Sequence, residues 1–409
     1  MGAEQEHYVI IGGSHAGAQL AFGLRKAGFE GQVSIVGDEP YPPYHRPPLS
    51  KACLADGKSI SDLYIRAPDL YTRNEIDLVL GSRVTAIDRS EQIITLHDGG
   101  SIPYTKLALA TGAKVRRISL PGVDLAGVCY LRDIGDVDRI KCFVGAGKSA
   151  VIIGGGYIGL ETAASLRKLE MQVTVLEALP RVLQRVTAPE ISAFYTRVHR
   201  EEGVEIITDA AVESIQGSDA VSSVTCADGK VIPADLVIIG VGVIPETELA
   251  EAAGLEVDNG IVVDEYARTS DHAIVAAGDC TQHYNPIYAQ CVRLESVQNA
   301  TDQATTAANT MCGKLEPYAA LPWFWSDQYD LKLQIAGFSQ GFDQVVIRGN
   351  IESGRSFSAF YYRAGHLLAV DAINSPKDFM AAKRALAQKK TVAPERASDL
   401  SIDIRELFT

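Results

Sequence analysis

Short runs rich in β-branched residues, each next to a glycine-containing turn, predict buried strands near the start of the chain. Tyr8–Ile11 is followed by a helix-like stretch, about Ala16–Ala27, and then by a second such run, Gln32–Val36. Apolar runs of this length are typical of strands covered on both faces of a parallel sheet. The pattern predicts a strand–helix–strand unit of about 30 residues. The proline-rich segment Pro40–Lys51 comes next and is unsuited to a helix.

The same order of elements returns in the middle of the chain. Ser149–Ile153 predicts a strand, Tyr157–Lys168 a helix and Val173–Glu177 a second strand. The strand and helix are again joined by glycines. The chain therefore contains an internal repeat of the strand–helix–strand unit.

Each copy of the repeat is followed by the same two features, a small antiparallel insertion and a buried strand. Alternating apolar positions at Ile76–Leu96 and Val204–Val224 predict small antiparallel insertions. A buried strand that runs into a glycine then closes each copy, Leu107–Gly112 in the first and Leu236–Gly242 in the second. Two related domains are the expectation.

The remaining segments complete the predicted organisation. After Pro245 the chain is predicted to return to the first unit through Ala273–Asp279. From about Leu321 the sequence becomes rich in Trp, Phe and Tyr, with the alternation typical of strands. The polar tail after Lys389 is expected either to wrap the surface or to be disordered. We predict an α/β fold with two Rossmann-like dinucleotide-binding domains and a C-terminal α+β domain. The predicted boundaries are 1–115 with 245–320 for the first domain, 116–244 for the second and 321–409 for the third.

Glycines at the two strand–helix turns predict dinucleotide binding. Such glycines allow a tight bend, close approach of a pyrophosphate and close packing of helix on strand. The second turn has all three, Gly154, Gly156 and Gly159, whereas the first has Ser14 in the middle position. The candidate binding residues of the first turn are Gly12, Ser14 and Gly17. Two dinucleotides in one chain indicate redox chemistry.

An acidic residue at the end of the second strand of such a unit binds the adenosine ribose. Glu177 has this position in the second unit, 23 residues after Gly154, and its charge favours NADH over NADPH. Arg181 and Arg185 leave this preference open, because an arginine here can receive a 2′-phosphate. In the first unit the aligned position is glycine, so the acid is Asp38 or Glu39, and we favour Asp38.

Composition excludes several classes of function. The formal net charge of −13 argues against binding to nucleic acid or to an anionic membrane. The longest apolar stretch, Leu236–Ile244, is far shorter than the roughly 20 residues of a membrane helix. Seven scattered cysteines without a CxxC motif predict neither a metal site nor a thioredoxin-like dithiol, and suit a cytoplasmic protein.

Several longer motifs recur in a family-specific order. They are the two glycine turns, the run Val36–Lys51 with its Arg-Pro-Pro-Leu-Ser-Lys end, Ala110–Gly112, Gly278–Cys280 and the tryptophan block Trp323–Gln328. With this order the whole chain resembles the FAD- and NADH-dependent ferredoxin reductases of bacterial oxygenase systems. The likeness also covers Val182–Pro189. The proline-rich run and the tryptophan block are its specific parts, because the glycine turns are shared with all disulfide-reductase-like flavoproteins.

The resemblance implies that FAD binds at the first turn and NADH at the second. The resemblance adds further candidate FAD-binding residues, which are Ala16 in the turn and, outside it, Asp38, Arg46, Lys51, Val84, Arg132, Asp279 and Val297. The candidates for the second site are Gly154, Gly156, Tyr157, Ile158, Gly159, Glu177, Arg185 and Gly242, with Glu295 as a candidate for the nicotinamide carboxamide.

Three residues are candidates for the catalytic set. Lys51 follows a rigid Pro-Pro pair and would stabilise negative charge near the flavin N5. Glu161, on the first turns of the second helix, is its expected ion-pair partner. The resemblance places Trp325 at the border of the flavin, with Trp323 nearby.

The implied reaction passes a hydride from NADH to FAD and then single electrons to a 2Fe-2S ferredoxin that serves a cytochrome P450 or another oxygenase. Ferredoxins of this type are acidic, so transient electrostatic docking requires a local basic patch. Its hypothetical members are Arg66, Lys332, Arg348 and Lys383. The resemblance implies a monomer.

Two alternatives stay open on sequence. A thiol-based NADH peroxidase or oxidase would use Cys53, two residues after Lys51. A redox signalling flavoprotein similar to apoptosis-inducing factor would combine slow turnover with partner binding. Proteins of the second kind carry targeting segments and basic surfaces, and neither is visible in this sequence.

Overall fold

Parallel strands carry both copies of the repeat in the computed structural model, which describes residues 6–408. Residues 1–5 and 409, part of the predicted first and last domains, lie outside the described chain. The α-helices are α1 (His15–Lys26), α2 (Ala52–Ala55), α3 (Pro68–Arg73), α4 (Ile134–Lys141), α5 (Tyr157–Lys168), α6 (Pro189–Glu201), α7 (Glu248–Ala252), α8 (Val297–Met311), α9 (Pro376–Ala387) and α10 (Pro394–Ser398). Short 3₁₀ turns lie at Pro47–Ser50, Ile60–Leu63 and Ile404–Glu406.

The strands of the first part of the chain are β1 (His7–Ile11), β2 (Gln32–Val36), β3 (Ile76–Val79), β4 (Val84–Asp88), β5 (Ile93–Leu96), β6 (Ser101–Pro103), β7 (Lys106–Leu109), β8 (Ala113–Val115) and β9 (Val128–Cys129). The middle strands are β10 (Ser149–Ile153), β11 (Gln172–Leu176), β12 (Val204–Ile207), β13 (Val212–Gly217), β14 (Val221–Cys226), β15 (Val231–Pro233), β16 (Leu236–Ile239) and β17 (Val243–Pro245). The last strands are β18 (Ile261–Val263), β19 (Ile274–Ala276), β20 (Thr281–Asn285), β21 (Gln290–Val292), β22 (Trp323–Gln328), β23 (Leu331–Gly337), β24 (Gln344–Gly349), β25 (Phe357–Arg363) and β26 (His366–Ile373).

Two compact units divide the chain. Unit 1 comprises the residues up to His45 together with Ile60–Lys114 and Ile244–Pro322. Unit 2 comprises Arg46–Ser59, Val115–Val243 and the residues from Trp323 onward. The segment Arg46–Ser59 was assigned from sequence to the first domain, yet it packs with the second strand–helix–strand copy. The predicted second and third domains fall together in unit 2.

Unit 1 is built on a parallel sheet in the order β19-β7-β1-β2-β3. β1 pairs with β2 in the register Ile10 to Ile35, and with β7 on its other side. α1 and α8 pack on each other over one face, in a cluster that includes Leu20, Ala304 and Ala308. The antiparallel strands β4, β5 and β6 form the predicted insertion.

Unit 2 repeats this plan with the parallel sheet β12-β11-β10-β16-β9 and the antiparallel insertion β13-β14-β15. β10 pairs with β11 in the register Ile152 to Val175. A five-stranded antiparallel sheet, β22-β23-β26-β25-β24, forms the C-terminal part, with α9 packed against β23 and β26. The chain after Lys389 is packed through Val392, Ala397, Ile404 and Leu407.

Three local predictions need correction. Ile76–Val79 and Val204–Ile207 were predicted to start antiparallel insertions, but each joins the edge of a parallel sheet, as β3 beside β2 and β12 beside β11. Alternation reports which face of a strand is buried, not the direction of its partner, so it does not distinguish the two cases. The segment predicted to be non-helical ends in a 3₁₀ turn at Pro47–Ser50, because proline suits the first position of a helical turn.

No helix among residues 6–408 is long and apolar enough to cross a membrane.

Candidate functional site

In unit 1 the first glycine turn joins β1 to α1. Gly12 has φ +121°, and a Cβ there would lie 2.0 Å from the Ala110 carbonyl oxygen. A Cβ on Gly17 would lie 1.9 Å from the Gly12 carbonyl oxygen, so α1 packs too closely on the turn for any side chain. Backbone geometry therefore requires the first and third glycines of this turn.

The second turn, in unit 2, has the same geometry. Gly154 has φ +116° and a Cβ there would meet the Gly240 carbonyl oxygen at 2.3 Å, while a Cβ on Gly159 would meet the Gly154 oxygen at 2.1 Å. At Gly156, the middle position, a Cβ would meet no atom within 4 Å. The protein backbone thus tolerates a side chain there, which explains how Ser14 stands at the middle of the first turn. In both turns a strand runs through closely packed glycines into the N-terminus of a helix, the arrangement that binds the pyrophosphate of a dinucleotide.

The Glu177 carboxylate is hydrogen-bonded to the backbone of the second turn. Its Oε2 accepts the Gly155 backbone N–H at 2.7 Å and its Oε1 accepts the Leu179 N–H at 2.8 Å. The carboxylate is thus held at the carboxyl end of β11, where a ribose of a dinucleotide bound at the turn would lie. Ile158, in the first turn of α5, is 43% exposed despite being apolar, which suits contact with a bound ligand.

Arg181 and Arg185 behave differently. The Arg181 guanidinium donates to the carbonyls of Thr187 and Gln184 and to Ser192 Oγ at 2.6 Å. These bonds hold the loop before α6. They use the guanidinium N–H groups with which Arg181 would otherwise bind a 2′-phosphate. Arg185 is exposed.

In unit 1, Asp38 is exposed at the end of β2. Its neighbour Glu39 accepts the Tyr44 hydroxyl at 2.5 Å. The preference for Asp38 as the ribose ligand agrees with this arrangement and stays a prediction.

Lys51 and Glu161 form a largely buried ion pair in unit 2. Lys51 Nζ lies 2.6 Å from Glu161 Oε2, and the two side chains are 21% and 6% exposed. The Ser50 hydroxyl donates to the same carboxylate oxygen at 2.6 Å, and Lys51 Nζ also donates to the Pro47 carbonyl at 3.2 Å. The 3₁₀ turn of the Pro-Pro segment thus presents both Ser50 and Lys51 to α5.

The other candidate residues of unit 2 lie as follows. Arg46 donates to the Arg132 carbonyl at 2.9 Å, so these two FAD candidates are brought together. The rings of Tyr157 and Phe324 pack at a tilt with their centroids 5.0 Å apart, and burial raises the pKa of the Tyr157 hydroxyl well above the usual value. Gly242 has φ +101°. The Tyr157 side chain therefore belongs to the packing of α5 on β22, and only its backbone is placed to meet a ligand at the turn.

The candidates of unit 1 are spread over several elements. Asp279 follows β19 in a loop fixed by Gln303, whose Oε1 accepts the Gly278 backbone N–H at 2.9 Å. Val297 begins α8 and Val84 is buried in β4. Glu295 is ion-paired with Arg293. Their cofactor roles stay predictions.

The tryptophan block forms β22. Trp323 and Trp325 are both partly buried, with ring centroids 5.5 Å apart. Lys383 on α9 places its Nζ 4.5 Å from the centre of the Trp323 ring, within cation–π distance.

Two of the sequence hypotheses are weakened by burial. Arg348 was a hypothetical docking residue, but it is 7% exposed and donates to the carbonyls of Asp399 and Ile402 at 2.6 and 2.7 Å. It fastens the C-terminal tail and is not available for docking. Cys53 is fully buried, and burial raises the pKa of its thiol, which disfavours the reactive thiolate.

Sequence reasoning missed the polar partners of Glu161. Ser326 Oγ donates to Glu161 Oε1 at 2.6 Å and Gln328 Nε2 donates to Ser326 Oγ at 3.2 Å. Both residues are buried on β22, separated by the exposed Asp327. Polar residues at inward positions of a strand were the signal, because burying them is costly unless they are hydrogen-bonded. Among residues 6–408 no group of three or more His, Cys, Asp or Glu side chains is arranged to hold a metal ion.

Known proteins resemble this chain over its whole length. The family described as pyridine nucleotide-disulphide oxidoreductase matches residues 6–304, and a family described as reductase C-terminal matches residues 323–408. Putidaredoxin reductase of Pseudomonas putida is 44% identical over 98% of this chain and 97% of its own. Rhodocoxin reductase of Rhodococcus erythropolis is 44% identical over 97% of this chain and 93% of its own.

Solved structures give the same result. The covalent putidaredoxin reductase–putidaredoxin complex matches with a TM-score of 0.96 at 44% identity, over 99% of this chain and 98% of that chain. The ferredoxin reductase for the CYP199A2 system from Rhodopseudomonas palustris also matches with a TM-score of 0.96, at 41% identity, over 99% of this chain and 100% of that one. These matches confirm the predicted fold class and the predicted resemblance. The chain belongs to the pyridine nucleotide-disulphide oxidoreductase family, in the branch that contains these ferredoxin reductases.

Proposed function

We propose that this protein is an FAD-dependent NADH:ferredoxin reductase. FAD, when bound, accepts the hydride of NADH as an electron pair and gives the electrons up singly to an iron–sulfur acceptor. In this proposal the first glycine turn binds FAD and the second binds NADH. The protein supplies binding, orientation and electrostatics around the cofactors.

One observation carries the proposal. In unit 2 the complete glycine turn opens α5, and Glu161 on this helix forms a largely buried ion pair with Lys51, while Cys53 is buried and its thiol pKa is raised. A positive charge held by a carboxylate suits stabilisation of negative charge on a reduced ring. A buried thiol does not suit attack on a peroxide or disulfide. The arrangement favours reduction of an external electron acceptor over the thiol-based alternative.

NADH is the proposed donor. Two backbone N–H groups fix Glu177 at the carboxyl end of β11. In this proposal its carboxylate binds the adenosine ribose, and its charge repels a 2′-phosphate. Arg181, which could have offset this repulsion, is used within the protein.

The proposed acceptor is a 2Fe-2S ferredoxin that serves a cytochrome P450 or another oxygenase. Putidaredoxin reductase and the reductase of the CYP199A2 system support this choice. We propose transient docking of an acidic ferredoxin near β22 and α9, with Lys383 and Lys332 in the basic patch and Trp325 bordering the flavin. A cytoplasmic monomer completes the proposal, and the absence of any disulfide among residues 6–408 agrees with a reducing compartment.

An anaerobic titration tests the proposal. The yellow protein should be bleached by one equivalent of NADH but not by NADPH, and should recover its colour on addition of oxidised ferredoxin. Reduction by NADPH at the same rate would refute the nucleotide assignment. Recovery with hydrogen peroxide but not with ferredoxin would favour the peroxidase alternative.

A further inference from the structure

A line of buried hydrogen bonds extends from Glu161 into the C-terminal sheet and beyond it, all within unit 2. Ser326 Oγ donates to Glu161 Oε1 at 2.6 Å, and Gln328 Nε2 donates to Ser326 Oγ at 3.2 Å. Gln328 Oε1 lies 2.8 Å from His199 Nε2 on α6. His199 Nδ1 lies 3.1 Å from the Tyr329 hydroxyl. The line runs from Glu161 to Tyr329 without a gap.

The partners fix the protonation of His199. Gln328 offers an oxygen to Nε2, so Nε2 carries the hydrogen, and Nδ1 then accepts the Tyr329 hydroxyl. Burial lowers the pKa of His199 to about 4, and the hydrogen bond with Gln328 and the nearby charge of Glu202 offset this only in part. The ring is therefore neutral at ordinary pH, in the tautomer with the hydrogen on Nε2.

With this tautomer every donor in the line points towards Glu161. The order is Tyr329 O–H to His199, His199 N–H to Gln328, Gln328 N–H to Ser326 and Ser326 O–H to the carboxylate. Aligned hydrogen bonds polarise one another in a low dielectric, and the sum acts on the negative charge at the end of the line.

The line occupies space that apolar side chains normally fill. Ser326 and His199 are 0% exposed and Gln328 is 2% exposed. Burying three polar side chains together is costly unless each is satisfied, and a packed apolar core of the same volume is often as stable or more stable. The stability of the fold therefore does not explain why these three buried residues are polar. Their hydrogen-bond donors all point towards the Glu161 carboxylate, and this shared direction does explain it.

We propose that Ser326, Gln328 and His199 are positioning residues that hold the Glu161 carboxylate in place and aimed at Lys51. They touch neither nucleotide in this proposal and act through Glu161. The inference rests on the proposed function in so far as Lys51 and Glu161 serve the flavin.

The state of His199 is the first test and does not depend on any cofactor role. In holoenzyme labelled with ¹⁵N-histidine, the His199 signal, assigned by its loss in the His199→Gln variant, should show a protonated Nε2 and an unprotonated Nδ1 from pH 5.5 to 8. A hydrogen on Nδ1, or a ring that becomes charged within this range, would overturn the proposed direction of the line.

The second test measures what the line does to Glu161. The rate of flavin bleaching is followed anaerobically as a function of NADH concentration, and this profile gives the limiting rate and the half-saturating NADH concentration. Ser326→Ala removes the hydroxyl that holds the Glu161 carboxylate, so the limiting rate should fall roughly tenfold while the half-saturating concentration stays within about twofold of wild type. His199→Phe should lower the limiting rate by less. His199→Gln, which keeps a donor within reach of Gln328, should restore most of the wild-type profile.

Matched controls separate positioning from packing. Ser358→Ala removes an equally buried hydroxyl of the same sheet, one that donates to Asp378 instead, and should leave the profile unchanged. The Ser326→Ala substitution removes only the hydroxyl oxygen. Far-ultraviolet circular dichroism and flavin content verify that this variant is folded.

If Ser326→Ala follows the profile of Ser358→Ala, the positioning role is refuted. A protein whose flavin is not bleached by NADH at all would refute the proposed function instead, and the histidine spectra would still decide whether the line exists.

Discussion

Glu177 Oε2 accepts a hydrogen bond from the backbone N–H of Gly155 at 2.7 Å, so the end of β11 is joined directly to the second glycine turn. The carboxylate serves this turn and, in our proposal, also the discrimination between the two nicotinamide nucleotides. Glu177→Gln keeps an acceptor for Gly155 and removes the charge. The ratio of kcat/KM for NADH to that for NADPH should fall roughly tenfold, the equivalent of about 1.4 kcal/mol.

The matched control is Glu205→Gln. Glu205 lies on the neighbouring strand β12, is exposed and pairs with Lys230 at the surface. Its loss should leave the ratio unchanged. An equal change in both variants would show that the effect is a general one of surface charge.

The ion pair of Lys51 with Glu161 gives the second prediction. Lys51→Met removes the positive charge of the pair and should slow anaerobic flavin bleaching by NADH roughly 100-fold. Lys168→Met is the control, because Lys168 lies on α5, the helix of Glu161, but pairs at the surface with Asp56. Wild-type bleaching by the Lys51 variant, measured by stopped flow, would contradict a role near the flavin.

Cys53 gives the third prediction. Its thiol is buried and its pKa is raised, so Cys53→Ser should keep NADH-to-ferredoxin activity within about twofold of wild type. Cytochrome c reduction coupled to ferredoxin measures this activity. Loss of turnover in Cys53→Ser, but not in a Cys142→Ser control at an exposed position, would support the thiol-based alternative.

Docking gives the fourth prediction. Lys383 is held over Trp323, so a charge reversal, Lys383→Glu, should raise the KM for an acidic ferredoxin about tenfold and flatten its dependence on ionic strength. Lys389→Glu changes the net charge equally, just beyond α9, and should have a smaller effect. An affinity for ferredoxin that does not weaken with salt would refute electrostatic docking.

Asp371 gives the fifth prediction. Burial raises its pKa from 3.8 to about 7, and Tyr361 donates to it at 2.5 Å. A carboxyl whose pKa is higher in the folded than in the unfolded state stabilises the fold fully below about pH 4. That contribution is lost as the pH rises through about 7. Relative to wild type, Asp371→Asn should therefore gain about 2–3 kcal/mol of stability between pH 5 and pH 8.

Urea unfolding of the holoenzyme, followed by the fluorescence of Trp323 and Trp325, measures this difference. Both tryptophans lie on β22, in the same sheet as Asp371 on β26. A difference between variant and wild type that is constant over this pH range would contradict the raised pKa.

The repeat, the glycine turns and the Lys51–Glu161 pair could be predicted from sequence because each has a local signal or belongs to a family-specific motif. The place of Ser326 and His199 could not. Their contacts with Glu161 and Gln328 join residues more than 100 positions apart. A serine or a histidine in the sequence does not indicate which distant residue it contacts. Arg348 was misjudged for a related reason, since an arginine in the sequence does not reveal whether backbone carbonyls enclose it.

Because unit 2 contains both Arg46–Ser59 and the residues from Trp323 onward, it is the second of the two units to be completed during synthesis. Glu161 takes hydrogen bonds from Ser50, 111 residues earlier, and from Ser326, 165 residues later. At about 5–20 residues per second, translation leaves its carboxylate without the second hydroxyl for roughly 10–30 seconds. A nascent chain that ends before β22 contains all the residues of unit 1, but unit 2 still lacks the strand on which its buried charge depends. Such a chain would expose that half of the protein to proteases and chaperones until synthesis is finished.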